Sequence, residues 1–264
     1  GNILRDLGKS KDAGFSYRKA IQLNPDFAEA HSNLGIVLND LGNLKEAALS
    51  TRKAIELKPN LTEAYSNLGN TLRNLDKLEE AEFSFRKAIE LKPDFAEAHS
   101  NLGTILRDLG KLQEAELSYR KGIEIKPDYA EAHFNLGNVL LDLGKLKEAE
   151  LSYRKGIEIN PEFAKAYFSL SSLKYSNKNK LWKDQLFSEK ILINKSPTDQ
   201  IDIYFARSNI LHKEKNYEDS SKFLILGNQL KLILHPSKAD GLIHKSKVLL
   251  IETNQRNINK KESI

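Results

Sequence analysis

The chain has 264 residues, with 29% charged residues, a formal net charge of +5 and no cysteine. The lack of cysteine excludes disulfides and thiolate metal sites, and no apolar run approaches the about 18 residues of a membrane-spanning helix. These features predict a cytoplasmic helical protein that is stabilised by packing and has no membrane contact.

Along the chain, prolines recur at a constant interval of 34 residues, at Pro25, Pro59, Pro93, Pro127 and Pro161. Glycines recur at the same interval from Gly1 to Gly137, and alanines from Ala13 to Ala149. A fixed period of this size predicts a stacked array of short repeats rather than one closed globule. Because Gly1 stands at the eighth position of a repeat, we expect the native N-terminus to lie upstream of this sequence.

One repeat, residues 94–127, predicts two helices joined by a turn at Gly110. Pro127 ends the second helix. Asp94 and Glu97 predict an N-cap for the first helix, and three other repeats carry the same pair: Asp26/Glu29, Asn60/Glu63 and Asp128/Glu131. Apolar residues three or four apart form a stripe on each helix: Ala98, Leu102, Ile105, Leu106 and Leu109 on the first, and Leu112, Ala115, Tyr119, Ile123 and Ile125 on the second.

This pattern resembles the tetratricopeptide repeat. The unit carries Leu102-Gly103 in its first helix, Ala115 and Tyr119 in its second helix, and a closing Pro127, while Gly122 replaces the second alanine of the family pattern. The resemblance implies an all-α fold, a right-handed superhelical solenoid of stacked antiparallel helix pairs. It also implies that the first helices line a concave groove for partner peptides.

The repeat loses its regular period towards the C-terminus, where Ser171 replaces the expected glycine and Ser176–Lys180 indicates a loop. We predict a repeat array over residues 1–194, with a partial first repeat, four regular repeats and one divergent repeat. Residues 195–250 are predicted to form a divergent helical repeat and a closing helix, the latter within Leu242–Glu252. Residues 251–264 are predicted to be a polar tail or linker.

Three other patterns are interpreted as structural. Gly8-Lys9-Ser10 resembles the end of a phosphate-binding loop, but that loop needs a further glycine where Ile3 stands. Three histidines share one repeat position on separate helix pairs, which favours packing over metal binding: His31, His99 and His133. A lysine-rich stretch is interrupted by acidic residues, which favours a solvated surface over nucleic-acid binding: Lys174, Lys178, Lys180, Lys183, Lys190 and Lys195.

The first helices carry the predicted peptide-binding residues. Position six of the repeat is asparagine in four successive units: Asn33, Asn67, Asn101 and Asn135. Neighbouring positions on the same side add four more: Asn70, Asn138, Arg73 and Arg107. Because an amide offers donors and an acceptor, such a row can pair with the backbone of an extended peptide without demanding its sequence. The alternative, that these asparagines cap or solvate the inner helix surface, stays open.

Two finer resemblances bear on function. The asparagine row is similar to the superhelical arm of O-linked N-acetylglucosamine transferases, and Tyr204–Lys231 is similar to regions that join repeats to sulfotransferase domains in marine bacterial proteins. We predict a bacterial protein–protein interaction scaffold with a protein or peptide partner. The alternative is the substrate-recruiting arm of a larger sulfotransferase or glycosyltransferase whose catalytic domain lies outside this chain. Carboxylates and histidines repeat along an axis instead of converging, so we expect no catalytic residue, cofactor, metal or small-molecule substrate.

Overall fold

The computed structural model describes residues 1–173 and 181–235. The chain divides into two compact units, Gly1–Asn160 and Pro161–Ile264. The regular elements of the described residues are all helices. The predicted loop at Ser176–Lys180, the predicted closing helix within Leu242–Glu252 and the predicted tail lie outside the described residues.

The first unit consists of helix pairs in chain order. First helices α3, α5, α7 and α9 each pack against the second helix that follows, and each second helix then packs against the next first helix. This arrangement confirms the predicted all-α solenoid of stacked antiparallel helix pairs. Its helices are α1 (Asn2–Asp6), α2 (Ser10–Leu23), α3 (Ala28–Asp40), α4 (Leu44–Leu57), α5 (Thr62–Asn74), α6 (Leu78–Leu91), α7 (Ala96–Asp108), α8 (Leu112–Ile125), α9 (Ala130–Asp142) and α10 (Leu146–Ile159).

The periodic glycine of each first helix marks the place where the two helices of a repeat approach most closely. A Cβ added to Gly103 would stand 2.9 Å from the ring of Tyr119, and one added to Gly137 would stand 2.6 Å from the ring of Tyr153. Both rings are fully buried. The 34-residue interval therefore follows from a packing requirement, in which a bare backbone faces a buried aromatic ring.

The turns between paired helices use a left-handed residue. Gly8, Gly42 and Gly110 have φ between 71° and 77°, and Asp76 takes the same place in the third repeat with φ of 59°. The amide of Gly110 donates to the carbonyl of Arg107 at 2.9 Å. The Gly8-Lys9-Ser10 motif is thus an interhelical turn, as the sequence predicts.

The predicted N-caps are wrong by one residue. Helix α7 begins at Ala96, so Phe95 is the N-cap residue, and no side chain caps the helix. Asp94 stands one position too early, because the amide of Phe95 donates to the carbonyl of Lys92 in a turn that follows the preceding helix. The same arrangement precedes α3, α5 and α9, where the N-cap residues are Phe27, Leu61 and Tyr129.

Ion pairs join the second helices of successive repeats. In each pair an arginine bonds a glutamate 28 residues further along the chain, at 2.5 to 2.8 Å: Arg18–Glu46, Arg52–Glu80, Arg86–Glu114 and Arg120–Glu148. These side chains are about half exposed, and such pairs are each worth about 0–1 kcal/mol. These ion pairs add little to the stability of the array, but they mark which second helices lie next to each other.

The second unit contains α11 (Ala164–Ser172), α12 (Leu181–Phe187), a 3-10 helix (Glu189–Leu192), α13 (Pro197–Lys213) and α14 (Tyr217–Leu234). Helices α13 and α14 pack together where the sequence predicts a divergent repeat. Side chains cap α13 and α14, whereas α11 has no side-chain cap. The Ser196 hydroxyl accepts from the amide of Asp199 at 3.2 Å, and the Asn216 side chain accepts from the amide of Asp219 at 3.3 Å.

Among the described residues of this unit, Arg207 is the most deeply buried charged residue, with 2% of its surface exposed. Its guanidinium donates to the carbonyls of Leu186 and Ser188 at 2.9 and 3.0 Å. It also lies 5.8 Å and 5.3 Å from the ring centres of Phe187 and Phe223. Burial lowers the pKa of Arg207 from its ordinary value. The arginine joins α13 to the segment between α12 and the 3-10 helix.

Candidate functional site

The predicted asparagine row lies on neighbouring helices. Asn33, Asn67, Asn101 and Asn135 occupy α3, α5, α7 and α9, and α3 contacts α5, α5 contacts α7, and α7 contacts α9. All four side chains are half-buried. The surface that these four residues form with Asn70, Asn138, Arg73 and Arg107 is called the first-helix face below.

Two asparagines of the row are already bonded within the protein. Asn33 accepts from Arg5 at 3.4 Å and donates to Asn2 at 3.4 Å. Asn67 donates to the hydroxyl of Ser32 at 3.2 Å, which joins α5 to α3. Asn33 and Asn67 therefore connect successive repeats, a role that neither interpretation of the sequence includes.

The other half of the row is unbonded. Within residues 1–173 and 181–235, the side chains of Asn101 and Asn135 make no hydrogen bond, and neither do those of Asn70 and Arg73. Each is half-buried, so its polar groups are accessible from one side. Amide and guanidinium groups in this state can bond a ligand without first breaking an internal contact.

Asn138 and Arg107 have internal partners. The hydroxyl of Tyr153 donates to Asn138 at 2.9 Å, and Arg107 bonds Asp142 at 2.7 Å. In the preceding repeat, Thr104 bonds the hydroxyl of Tyr119 at 2.8 Å. Burial raises the pKa of Tyr119 to about 12, so this hydroxyl keeps its proton. Position nine thus holds the buried tyrosine in place in these two repeats.

A hollow lies on the first-helix face between α3 and α5. Its volume is about 380 Å³, and Ser32, Asn33, Ile36 and Asn67 line it together with Glu29 and Glu63. Ligand pockets span about 300–1,000 Å³. The hollow is therefore large enough for part of a bound chain, and it offers polar side chains beside a mainly apolar surface.

Two of the four glutamates that border this face, Glu29 and Glu97, are paired with lysines that directly follow the second helix of the same repeat, whereas Glu63 and Glu131 have no ion pair within the described residues. Lys58 bonds Glu29 at 2.7 Å and Lys126 bonds Glu97 at 3.2 Å. The bond from Lys58 is the main cause that lowers the pKa of Glu29. For Glu97, burial opposes ionisation, but its own backbone amide and Lys126 outweigh burial and lower the pKa. Both carboxylates are therefore charged and neutralised in place.

The repeated histidines serve the turns. His31, His99 and His133 each bond the carbonyl of the closing proline six residues earlier, at 2.9 to 3.0 Å. Burial lowers the pKa of His133, which its bond to the carbonyl of Pro127 partly offsets. No group of histidine and carboxylate side chains that could hold a metal ion occurs in the described residues.

A second surface was missed by sequence reasoning. Large apolar side chains that are 62% to 73% exposed recur at one position of the second helices: Phe15, Leu49, Phe83, Leu117 and Leu151. This row is called the second-helix face below. Each member stands two residues after a buried alanine such as Ala115, which turns it about 200° away from the buried stripe. This two-residue offset from the periodic alanines is visible in the sequence and could have identified the row.

Comparison with known families identifies the repeats. Residues 1–42 and 103–144 match the TPR repeat. Further forms of the tetratricopeptide repeat match residues 28–61, 62–95, 84–116 and 130–163. The matches together span residues 1–163 without a gap. The curated proteins give no match.

Solved structures show the same fold. MamA is 28% identical with a TM-score of 0.56, over 62% of this chain and 96% of MamA. YrrB, a TPR protein with an unusual peptide-binding site, is 24% identical with a TM-score of 0.54, over 75% of this chain and 97% of YrrB. PilF of Pseudomonas aeruginosa is 18% identical with a TM-score of 0.62, over 83% of this chain and 97% of PilF. These matches leave the similarity to transferase arms and sulfotransferase connecting regions a prediction.

One further property concerns membranes. Among the helices of residues 1–173 and 181–235, none combines the length and apolar character that crossing a bilayer requires.

Proposed function

Because this chain belongs to the tetratricopeptide-repeat family, we propose that it is a protein–protein interaction scaffold whose first-helix face binds an extended peptide or partner segment. The observation that carries the proposal is the pair Asn101 and Asn135. These half-buried amides lie on neighbouring helices and make no hydrogen bond with the described residues. The scaffold performs no chemistry of its own.

The peptide backbone is the ligand group that suits these amides best. Each asparagine offers two N–H donors and a carbonyl acceptor, which match the alternating carbonyl and amide groups of an extended chain. The neighbouring glutamates Glu29 and Glu97 are neutralised by lysines. Glu63, Glu131 and Arg73 have no ion pair within the described residues, so unpaired charges of both signs remain on the face and no single ligand charge is selected. Backbone recognition by the amides therefore dominates the proposal.

The proposal divides the predicted site residues by role. Asn101 and Asn135, with Asn70 and Arg73, contact the ligand, because their polar groups are unbonded. Asn138 and Arg107 hold neighbouring side chains in place. Asn33 and Asn67 connect repeats and border the 380 Å³ hollow, where a bound chain continues beyond the central pair.

A double variant, Asn101→Ala with Asn135→Ala, tests this proposal. An array of extended synthetic peptides of about 10 residues is screened against the wild-type protein, and the captured peptides are titrated by fluorescence anisotropy. Loss of two bonds worth about 0.5–1.5 kcal/mol each weakens binding about 5- to 150-fold.

The matched control is Asn43→Ala, an exposed asparagine in the turn between α3 and α4. It should leave binding unchanged, and circular dichroism should show equal helicity in all proteins. Equal affinity of the double variant and the control would refute a ligand role for the row.

No observation favours the alternative of a transferase arm over a free scaffold. That alternative remains a prediction from sequence resemblance, as does the cytoplasmic location. A nucleotide-binding loop encoded downstream in the native reading frame would support the transferase arm, and a stop codon would support the free scaffold.

A further inference from the structure

A pocket of about 640 Å³ opens on the side of the second helices, between α4 and α6. Its walls are apolar: Ile55 of α4, Tyr65, Leu68 and Leu72 of α5, and Phe83 of α6. Leu68 and Leu72 are buried, whereas Phe83 is 62% exposed. The pocket therefore has a fixed apolar floor and an aromatic side chain that is accessible at its mouth.

Tyr65 distinguishes this repeat from its neighbours. At the same position, His31, His99 and His133 bond the carbonyl of the closing proline, and so does the hydroxyl of Tyr167. The hydroxyl of Tyr65 makes no hydrogen bond within the described residues. Its ring is instead part of the pocket wall, which gives this repeat an aromatic surface at that position.

One carboxylate at the pocket has no ion pair within the described residues. Arg52 bonds Glu80 at 2.6 Å, and Lys53 bonds Glu56 at 2.7 Å. Glu79 also lines the pocket, but within the described residues it has no ion-pair partner. A ligand that brings a cation to Glu79 and an apolar group to Phe83 would complement both features.

The second-helix face extends this site to both sides. Leu49 and Leu117 are each 69% exposed on the adjacent second helices, and ion pairs show that α4, α6 and α8 are neighbours. An amphipathic helix laid across the second helices would present a stripe of apolar side chains to this row.

We propose that this pocket binds an amphipathic helical segment of a partner protein. A large apolar side chain of that segment enters between α4 and α6 against Tyr65 and Phe83, and a lysine or arginine beside it pairs with Glu79. This site is separate from the first-helix face, so the scaffold holds two partners, one extended and one helical.

The test uses two fluorescent synthetic peptides of about 15 residues with identical leucine and phenylalanine positions. One carries lysines on its polar face and the other glutamates, and anisotropy titrations use the whole protein. We expect the basic peptide to bind at least about tenfold more tightly than the acidic one, because the acidic one brings like charge to Glu79. Absence of saturable binding of the basic peptide would overturn the proposal.

Two variants with matched controls locate the binding. Phe83→Glu should weaken it at least about tenfold, as expected for a central anchor, while Leu117→Glu, at the same position of the next repeat, should have a smaller effect. Glu79→Lys should also weaken binding, while its counterpart Gln113→Lys should not. Equal effects of variant and control would show a diffuse apolar attraction and overturn the proposal.

A second copy of this chain is the competing occupant. Sedimentation of the wild-type protein alone distinguishes the two occupants. A concentration-dependent dimer that Phe83→Glu dissociates would overturn the proposal of a partner helix. We expect Asn101→Ala with Asn135→Ala to leave binding of the basic peptide unchanged, since that row lies on the other face.

Discussion

Replacing Leu102 by alanine tests the register of the whole array. Leu102 lies on α7 and is 4% exposed. The change removes three buried carbons, which costs about 2–2.5 kcal/mol in transfer free energy alone. The cavity left behind brings the expected loss in the free energy of unfolding to about 2–5 kcal/mol. Urea unfolding followed by circular dichroism at fixed pH measures it.

Leu117→Ala is the matched control. It removes the same three carbons from the second helix of the same repeat, but Leu117 is 69% exposed. We expect a cost within about 0.5 kcal/mol of zero. Equal destabilisation by the two changes would refute the assignment of buried and exposed faces, and with it the second-helix face.

Two other predictions concern burial and pH. Arg207→Met removes two hydrogen bonds to the carbonyls of Leu186 and Ser188 and leaves those acceptors without this donor. We therefore expect the free energy of unfolding to fall by about 2–4 kcal/mol. Limited proteolysis should then cut first within Pro161–Ile264, and an unchanged cleavage pattern would contradict the role of Arg207. The pKa of His133 is lowered in the folded protein from its ordinary value of 6.5, so the unfolded chain takes up the proton first as pH falls below that value. The contribution of His133 to stability is therefore present above the unfolded pKa and is lost as pH falls through the folded pKa. His133→Gln, which can still donate to the carbonyl of Pro127, should lessen the fall in stability between neutral and mildly acidic pH; an identical pH profile would contradict this.

The fold could be predicted from the sequence because its period has a local cause. Each interval repeats one contact, such as Gly103 against the ring of Tyr119, and the contact involves residues of the same repeat. The N-cap residues were predicted less accurately than the helices. Asp94 and Glu97 have suitable side chains, but the turn after α6 fixes where α7 begins, and it excludes Asp94 from the cap position.

Only part of the candidate site could be predicted from the sequence. The register placed Asn33, Asn67, Asn101 and Asn135 on one face, which follows from helix geometry. Which of them are bonded differs between repeats of the same sequence pattern: Ser32 bonds Asn67, whereas Ser66, at the equivalent position one repeat later, does not bond Asn101. Contacts of this kind are not encoded in the position of the residue within its repeat.

The pocket at Tyr65 was missed for a related reason. Tyr65 and the histidines at the same position share an aromatic character, and the family pattern treats them alike. The structure separates them by the hydrogen bond to the proline carbonyl, which His99 makes and Tyr65 does not. Phe83 was missed because a single apolar residue on a solvated helix does not indicate a binding surface. Only the recurrence of apolar residues at this position of successive repeats indicates one.

The ion pairs between successive second helices have a consequence for folding kinetics. Each spans 28 residues, from Arg52 to Glu80 for example, so contacts between repeats close short loops. Low contact order speeds folding, and an array of this kind can nucleate at any repeat and grow by neighbours. Slow exchange of backbone amides with deuterium should therefore change in steps of one repeat along α2 to α10.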